Sequence, residues 1–162
     1  MCPEPDIHWL DAAAFHDRPR PTGEVGPVTR AQDLPHVCYR PAHGNPAADG
    51  WQQGQGENPC IWVACEQGLA AEGRLRSALD GVIDSRLPPG ASIGWHRHTD
   101  SEEIYYLLEG SLTVSVQEAD GQLASFRLLP GDRHLLSPGM AHAALAGDEG
   151  ARFIAVLARV PA

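Results

Sequence analysis

The stretch that decides the fold runs from Gly90 to Gly110 and reads GASIGWHRHTDSEEIYYLLEG. Residues two apart on a β-strand project to the same face. With Ile93–His98 as a strand, His96 and His98 present both imidazoles to one side, and Trp95 and Arg97 point to the other. A tight turn through Thr99–Ser101 reverses the chain and brings Glu103, at the start of the next strand, back beside the histidines. Two imidazoles and a carboxylate on one face suit a borderline divalent metal: imidazole fits Zn, Fe, Ni or Cu, and the carboxylate adds Mn. Tyr105 and Leu107 share the face of Glu103 and are expected to line the same pocket. Tyr105 is a candidate hydrogen-bond donor to a substrate. Equally, it can be a core aromatic whose hydroxyl is satisfied locally.

A second stretch, Gly131–His142, reads GDRHLLSPGMAH. Gly131-Asp132 turns the chain into a strand and Pro138-Gly139 turns it out. His142 opens the next strand, where an antiparallel neighbour lays it against the His-x-His pair as a fourth ligand. The face to which His134 points is not fixed by the pattern.

Outward from these stretches the chain is a series of short apolar runs separated by turn signals. Candidate strands are Cys60–Glu66, Val82–Leu87 (stopped by Pro88-Pro89-Gly90), Ile93–His98 and Ile104–Glu109, which ends at Gly110. Leu112, Val114 and Val116 alternate with Thr113 and Ser115, and Asp120-Gly121 reads as a hairpin turn. Leu123–Leu129, His134–Ser137 and Phe153–Val160 complete the set, with Asp148-Glu149 as a solvated turn. Many short strands at regular spacing predict an all-β sandwich or barrel over residues 59–162. Gly68–Leu79 is either a short helix or a loop. Residues 1–58, rich in Pro, Gly, Ala and Asp, read as an irregular, extended N-terminal arm with short strands and one helical turn around Trp9–Phe15. His8, His16, His36 and His43 lie in that arm and are expected to be solvated.

The two stretches together resemble the paired motifs of the cupin superfamily. Its first motif is Gly, five residues, His-x-His, three or four residues, Glu, six residues, Gly. Here Gly90, His96, His98, Glu103 and Gly110 fill every fixed position, and the spacing to Gly110 selects Glu103 over the neighbouring Glu102. Its second motif is Gly, five residues, Pro-x-Gly, two residues, His, three residues, Asn. Gly131, Gly139 and His142 fit, whereas Ser137 stands in the Pro position, with Pro138 one place later, and Ala146 stands in the Asn position. The resemblance covers residues 90–146 and implies a single double-stranded β-helix, or jelly-roll barrel. It also implies one divalent transition metal ion (Fe, Zn, Mn, Ni or Cu) held by His96, His98, Glu103 and His142, with coordination positions left open. The function it implies is a metal-dependent enzyme acting on a small organic substrate, with dioxygenase-type oxidoreductase chemistry as the leading expectation. Glu103 and Tyr105 are then the catalytic candidates. The alternatives are a Zn- or Mn-dependent isomerase or lyase and a non-catalytic cupin that binds a sugar or metabolite. A homodimer is the expected assembly.

Composition narrows the field further. The formal charge is −9, and all 12 basic side chains are arginines. A chain without lysine has no Schiff-base lysine, no pyridoxal-phosphate anchor and no phosphate-loop lysine. An acidic chain lacking a basic stripe predicts no nucleic-acid partner and no anionic membrane surface. No window approaches the roughly 18 unbroken apolar residues of a membrane span. The opening MCPEPDIHWLDAAAF has neither a basic start nor an apolar core, which predicts no secretory signal and a cytoplasmic location. Cys2, Cys38, Cys60 and Cys65 form no C-x-x-C pair and read as free thiols.

Overall fold

Three Pro-Gly pairs set strand ends. Ala91 N donates to Pro88 O (3.0 Å), Asp132 N to Leu129 O (2.9 Å) and Met140 N to Ser137 O (3.1 Å). Each closes a four-residue turn with Pro second and Gly third, the order that a type II turn requires. At the last of these, Gly139 has φ +86°. Ser137 in place of proline therefore does not damage the turn, because Pro138 takes the position that fixes φ.

The computed structural model describes residues 28, 34, 36–39, 54–65, 77–118 and 120–160. The helical turn expected at Trp9–Phe15, most of Gly68–Leu79, and His8, His16 and His43 lie outside the described residues. Among the described residues all regular structure is strand: β1 (His36–Tyr39), β2 (Asn58–Cys65), β3 (Leu79–Leu87), β4 (Ser92–Arg97), β5 (Ser101–Gln117), β6 (Leu123–Leu128), β7 (Arg133–Leu136) and β8 (Ala141–Arg159). The hairpin at Asp120-Gly121 joins β5 to β6, with Gly121 N donating to Glu118 O at 2.9 Å.

All the ladders are antiparallel, and they split into two facing sheets. The C-terminal half of β8 pairs with β3 on one side and with the first half of β5 on the other. β1 and β2 extend this sheet beyond β3, and β7 extends it beyond β5. The N-terminal half of β8 pairs with β4 and with the second half of β5, which in turn pairs with β6. β5 and β8 thus belong to both sheets, which is the double-stranded β-helix expected from the sequence.

The sequence pattern placed a strand end at Gly110 and a turn at Asp148-Glu149, and here the structure differs. Both strands run on through these points and bend together. The register between them slips at Leu107/Glu109 and again at Gly110/Leu112. Gly110 has φ +74°, and a Cβ built on it would collide with Gly150 O; Gly150 itself has φ +78°. A glycine bulge turns a strand sharply without ending its pairing. Asp148 and Glu149 are exposed, as expected, but inside a strand.

The interior between the sheets is filled by Leu107, Leu112, Val114 and Phe153 from the two long strands, with Tyr39, Trp62 and Ile83 from the outer ones. Part of the expected arm joins this core. Tyr39 of β1 is fully buried, and Trp62 Nε1 donates to its hydroxyl at 2.9 Å. Cys60 is a free, buried thiol. Cys38, expected to be free as well, is disulfide-bonded, with the other half of the bridge outside the described side chains. Cysteine spacing could not foretell this, because folding rather than sequence distance brings bridge partners together. No helix among the described residues is long and apolar enough to cross a membrane.

Candidate metal centre

The site lies where the two sheets meet at one end of the interior. His96 stands opposite His142 in the β4–β8 ladder, which places those two rings on one sheet. Glu103 comes from β5 in the other sheet, opposite Leu157 of β8 and Leu136 of β7. His98 follows β4 and is held by two backbone bonds, His98 N to Met140 O (3.1 Å) and Gly139 N to His98 O (2.7 Å). The Pro138-Gly139 turn therefore also fixes the position of the second histidine.

One nitrogen or carboxylate oxygen from each of His96, His98, Glu103 and His142 converges within 4.8 Å of the others. His142 Nε2 lies 2.9 Å from His96 Nε2 and 3.2 Å from Glu103 Oε2, and His98 Nε2 lies 3.5 Å from the same oxygen. Ligand atoms about 2.1 Å from a common ion stand roughly 3.0–3.4 Å apart, so the spacing matches a divalent transition metal. His98 Nε2 and Glu103 Oε2 are buried and make no hydrogen bond among the described groups. Polar atoms left in this way are costly and call for a partner. A cation would serve the imidazole lone pair and the carboxylate oxygen together.

The far nitrogen of each ring is anchored. His96 Nδ1 donates to Gly94 O at 2.8 Å, His98 Nδ1 is 3.1 Å from Ser101 Oγ, and His142 Nδ1 is 3.0 Å from His134 Nε2. Burial favours the neutral form of His98 and His142, the form that ligation requires. It lowers His98 to about 4, with the Glu103 charge opposing and the neighbouring histidines assisting. It takes His142 well below the ordinary value, helped by His96 and His134.

Tyr105 is buried where the alternation put it, and its ring packs 4.5 Å from that of Phe153. Burial first, then the nearby Glu103 carboxylate, pushes its pKa well above the ordinary phenol value. It is therefore a protonated phenol on the same strand face as the carboxylate. Glu102 is exposed, on the opposite face of β5 from Glu103. His134 turns inward and is buried. No sequence signal foretold this, because Leu135 and Leu136 are both apolar and the alternation on β7 leaves its face undecided.

Residues 84–157 match the model of the cupin domain. This stretch of the chain is a cupin domain. The cupin resembles a predicted oxalate decarboxylase from Thermotoga maritima, with a TM-score of 0.56 and 21% identity over 82% of this chain and 99% of that one. It also resembles the oxalate decarboxylase of Bacillus subtilis, whose Mn(II) centres have been studied, with a TM-score of 0.55 and 22% identity over 83% of this chain and 31% of that one. A formate complex of the Lactobacillus farciminis oxalate decarboxylase gives a TM-score of 0.55 and 23% identity over 83% and 34%. The cupin thus spans about a third of the length of the latter two enzymes, and at these identities the likeness concerns the fold. A comparison with curated proteins finds no match.

Proposed function

We propose that this cupin is an enzyme that holds one divalent metal ion between His96, His98, Glu103 and His142 and acts on a small organic molecule inside the barrel. The observation that carries this reading is the pair of buried atoms without hydrogen bonds, His98 Nε2 and Glu103 Oε2, facing the same point as two further imidazole nitrogens. When bound, the ion supplies Lewis acidity and, if it is iron, nickel or copper, redox chemistry with O₂. The chain supplies the rest. Gly94 and Ser101 hold the rings of His96 and His98, and Tyr105 shares the strand face of Glu103 as a protonated phenol. The apolar walls keep water from the reacting molecule.

The charge of the interior guides the choice of substrate. Arg97 is engaged by Gly139 O and by Gln117 Oε1 (2.9 Å), and Arg152 by Asp84 and Glu109. Arg86, Arg127, Arg133 and Arg159 are exposed. Among the described residues no arginine lines the interior, so none of these six would balance the charge of a dianion such as oxalate. This favours a neutral, largely apolar substrate and dioxygenase-type oxidation. The second reading is a Mn-dependent lyase, supported by the fold shared with the oxalate decarboxylases and the Mn(II) centres of one of them.

The test is elemental analysis of the purified, untagged protein by plasma mass spectrometry, with His96→Ala as control. About one equivalent of Fe, Ni or Cu, lost in the variant and accompanied by substrate-dependent oxygen uptake, supports the oxidative reading. Mn or Zn without oxygen uptake supports the lyase or isomerase reading. A protein that holds no metal and takes up none on reconstitution is instead a binding module. The proposed assembly is a homodimer, consistent with Leu123, Phe126 and Leu129 exposed on and beside β6. Sedimentation of a monomer at micromolar concentration overturns it.

A further inference from the structure

Among the described residues, His134 is the one histidine near the centre that offers it no ligand atom. In the ladder it stands opposite Tyr105, on the sheet that does not carry the first half of β8. Its imidazole nevertheless crosses the interior to reach His142. Nε2 lies 3.0 Å from His142 Nδ1, and the two rings are stacked at 30°, with centroids 5.2 Å apart. Both side chains are buried. The contact is on the far edge of the His142 ring, away from the side where Nε2 meets His96 and Glu103.

A neutral imidazole has one N–H and one lone pair. If His142 Nε2 is to give its lone pair to a metal, Nδ1 must carry the hydrogen, and inside the barrel that hydrogen needs an acceptor. We propose that His134 is a positioning residue whose Nε2 accepts the Nδ1–H of His142, fixing the tautomer and ring plane in which His142 Nε2 faces the metal. The inference rests on the metal reading above. It goes beyond that reading in assigning a fifth residue and a direction to the hydrogen bond. The other two rings are anchored by groups two and three residues away, Gly94 O and Ser101 Oγ. Only His142 takes its anchor from the opposite sheet, so its orientation depends on the closed barrel and not on a local loop.

The experiment compares the metal-stripped full chain with His134→Phe and His134→Gln by calorimetric titration with Zn²⁺ and with Mn²⁺. Phenylalanine keeps the ring and removes the acceptor, whereas glutamine restores an acceptor oxygen at similar reach. His134→Phe is expected to bind each ion about 10–100-fold more weakly with unchanged stoichiometry, and His134→Gln to recover most of the affinity. Long-range ¹H–¹⁵N spectra of the zinc-loaded wild type are expected to show the His142 hydrogen on Nδ1 and His134 Nε2 without one. These spectra decide the point even if His134→Phe does not fold. Equal affinity in His134→Phe and wild type overturns the inference and leaves the metal reading standing. So does an equal loss in both variants, or a hydrogen on His142 Nε2. A wild-type protein that takes up neither ion overturns the metal reading and this inference with it.

Discussion

Cys60 points into the barrel with Sγ 3.4 Å from Asn58 Oδ1 and 3.8 Å from Ser85 Oγ. Burial, assisted by the charge of Asp84 and opposed by the Ser85 hydrogen bond, pushes its pKa from 9.0 up to about 12. A thiol held protonated in this way is no nucleophile. At pH 8, Cys60 is expected to resist a thiol reagent until the protein is denatured, which mass spectrometry of the labelled peptide checks. Between pH 9 and 12 the unfolded chain loses this proton while the folded chain keeps it, so stability is lost as pH rises through that window. Urea midpoints should fall less over it in Cys60→Ala than in the wild type. Equal falls would assign the alkaline loss to other groups. Single residues were unevenly legible in the sequence. Glu103, His96 and His98 could be placed because one tight turn and strict alternation leave a short strand pair little choice. His134 could not, because two adjacent leucines hide the alternation of β7, and its partner lies across the barrel. The state of Cys38 was likewise hidden, since spacing alone does not tell which cysteines meet.

Turns were more legible than bends. Pro89-Gly90, Pro130-Gly131 and Pro138-Gly139 ended strands where expected, because proline and glycine each restrict or free φ in a way that a turn needs. Gly110 and the Asp148–Gly150 stretch carried the same kind of signal but act differently, bending two paired strands without releasing them. A local pattern cannot tell a bulge from a turn, since what distinguishes them is whether the partner strand bends at the same place. Gly110→Ala tests the bend. Its Cβ would meet Gly150 O, and its φ of +74° is unfavourable for any L side chain. A loss of at least about 2 kcal/mol in urea denaturation is expected, together with reduced metal uptake. A variant with wild-type stability would show that the bend does not depend on glycine.

At the scale of the whole molecule, the bend is what creates the site. Glu103 lies near the start of β5, whereas His142 stands opposite Val116, near the other end of that strand. On an unbent ribbon they would be separated by roughly 40 Å; in the barrel, 3.2 Å separates Glu103 Oε2 from His142 Nε2. The β-rich architecture and the grouping of His96, His98, Glu103 and His142 were legible in residues 90–146, but the folding of two long strands into both sheets was not, because it is a property of their pairing. It follows that the four candidate ligands meet only after distant parts of the chain have paired, which places the centre late on the folding route. An ion bound there stabilises the finished barrel without helping the chain to reach it. Stopped-flow mixing with and without Zn²⁺ should therefore leave the refolding rate nearly unchanged and slow the unfolding rate by the whole factor of the added stability.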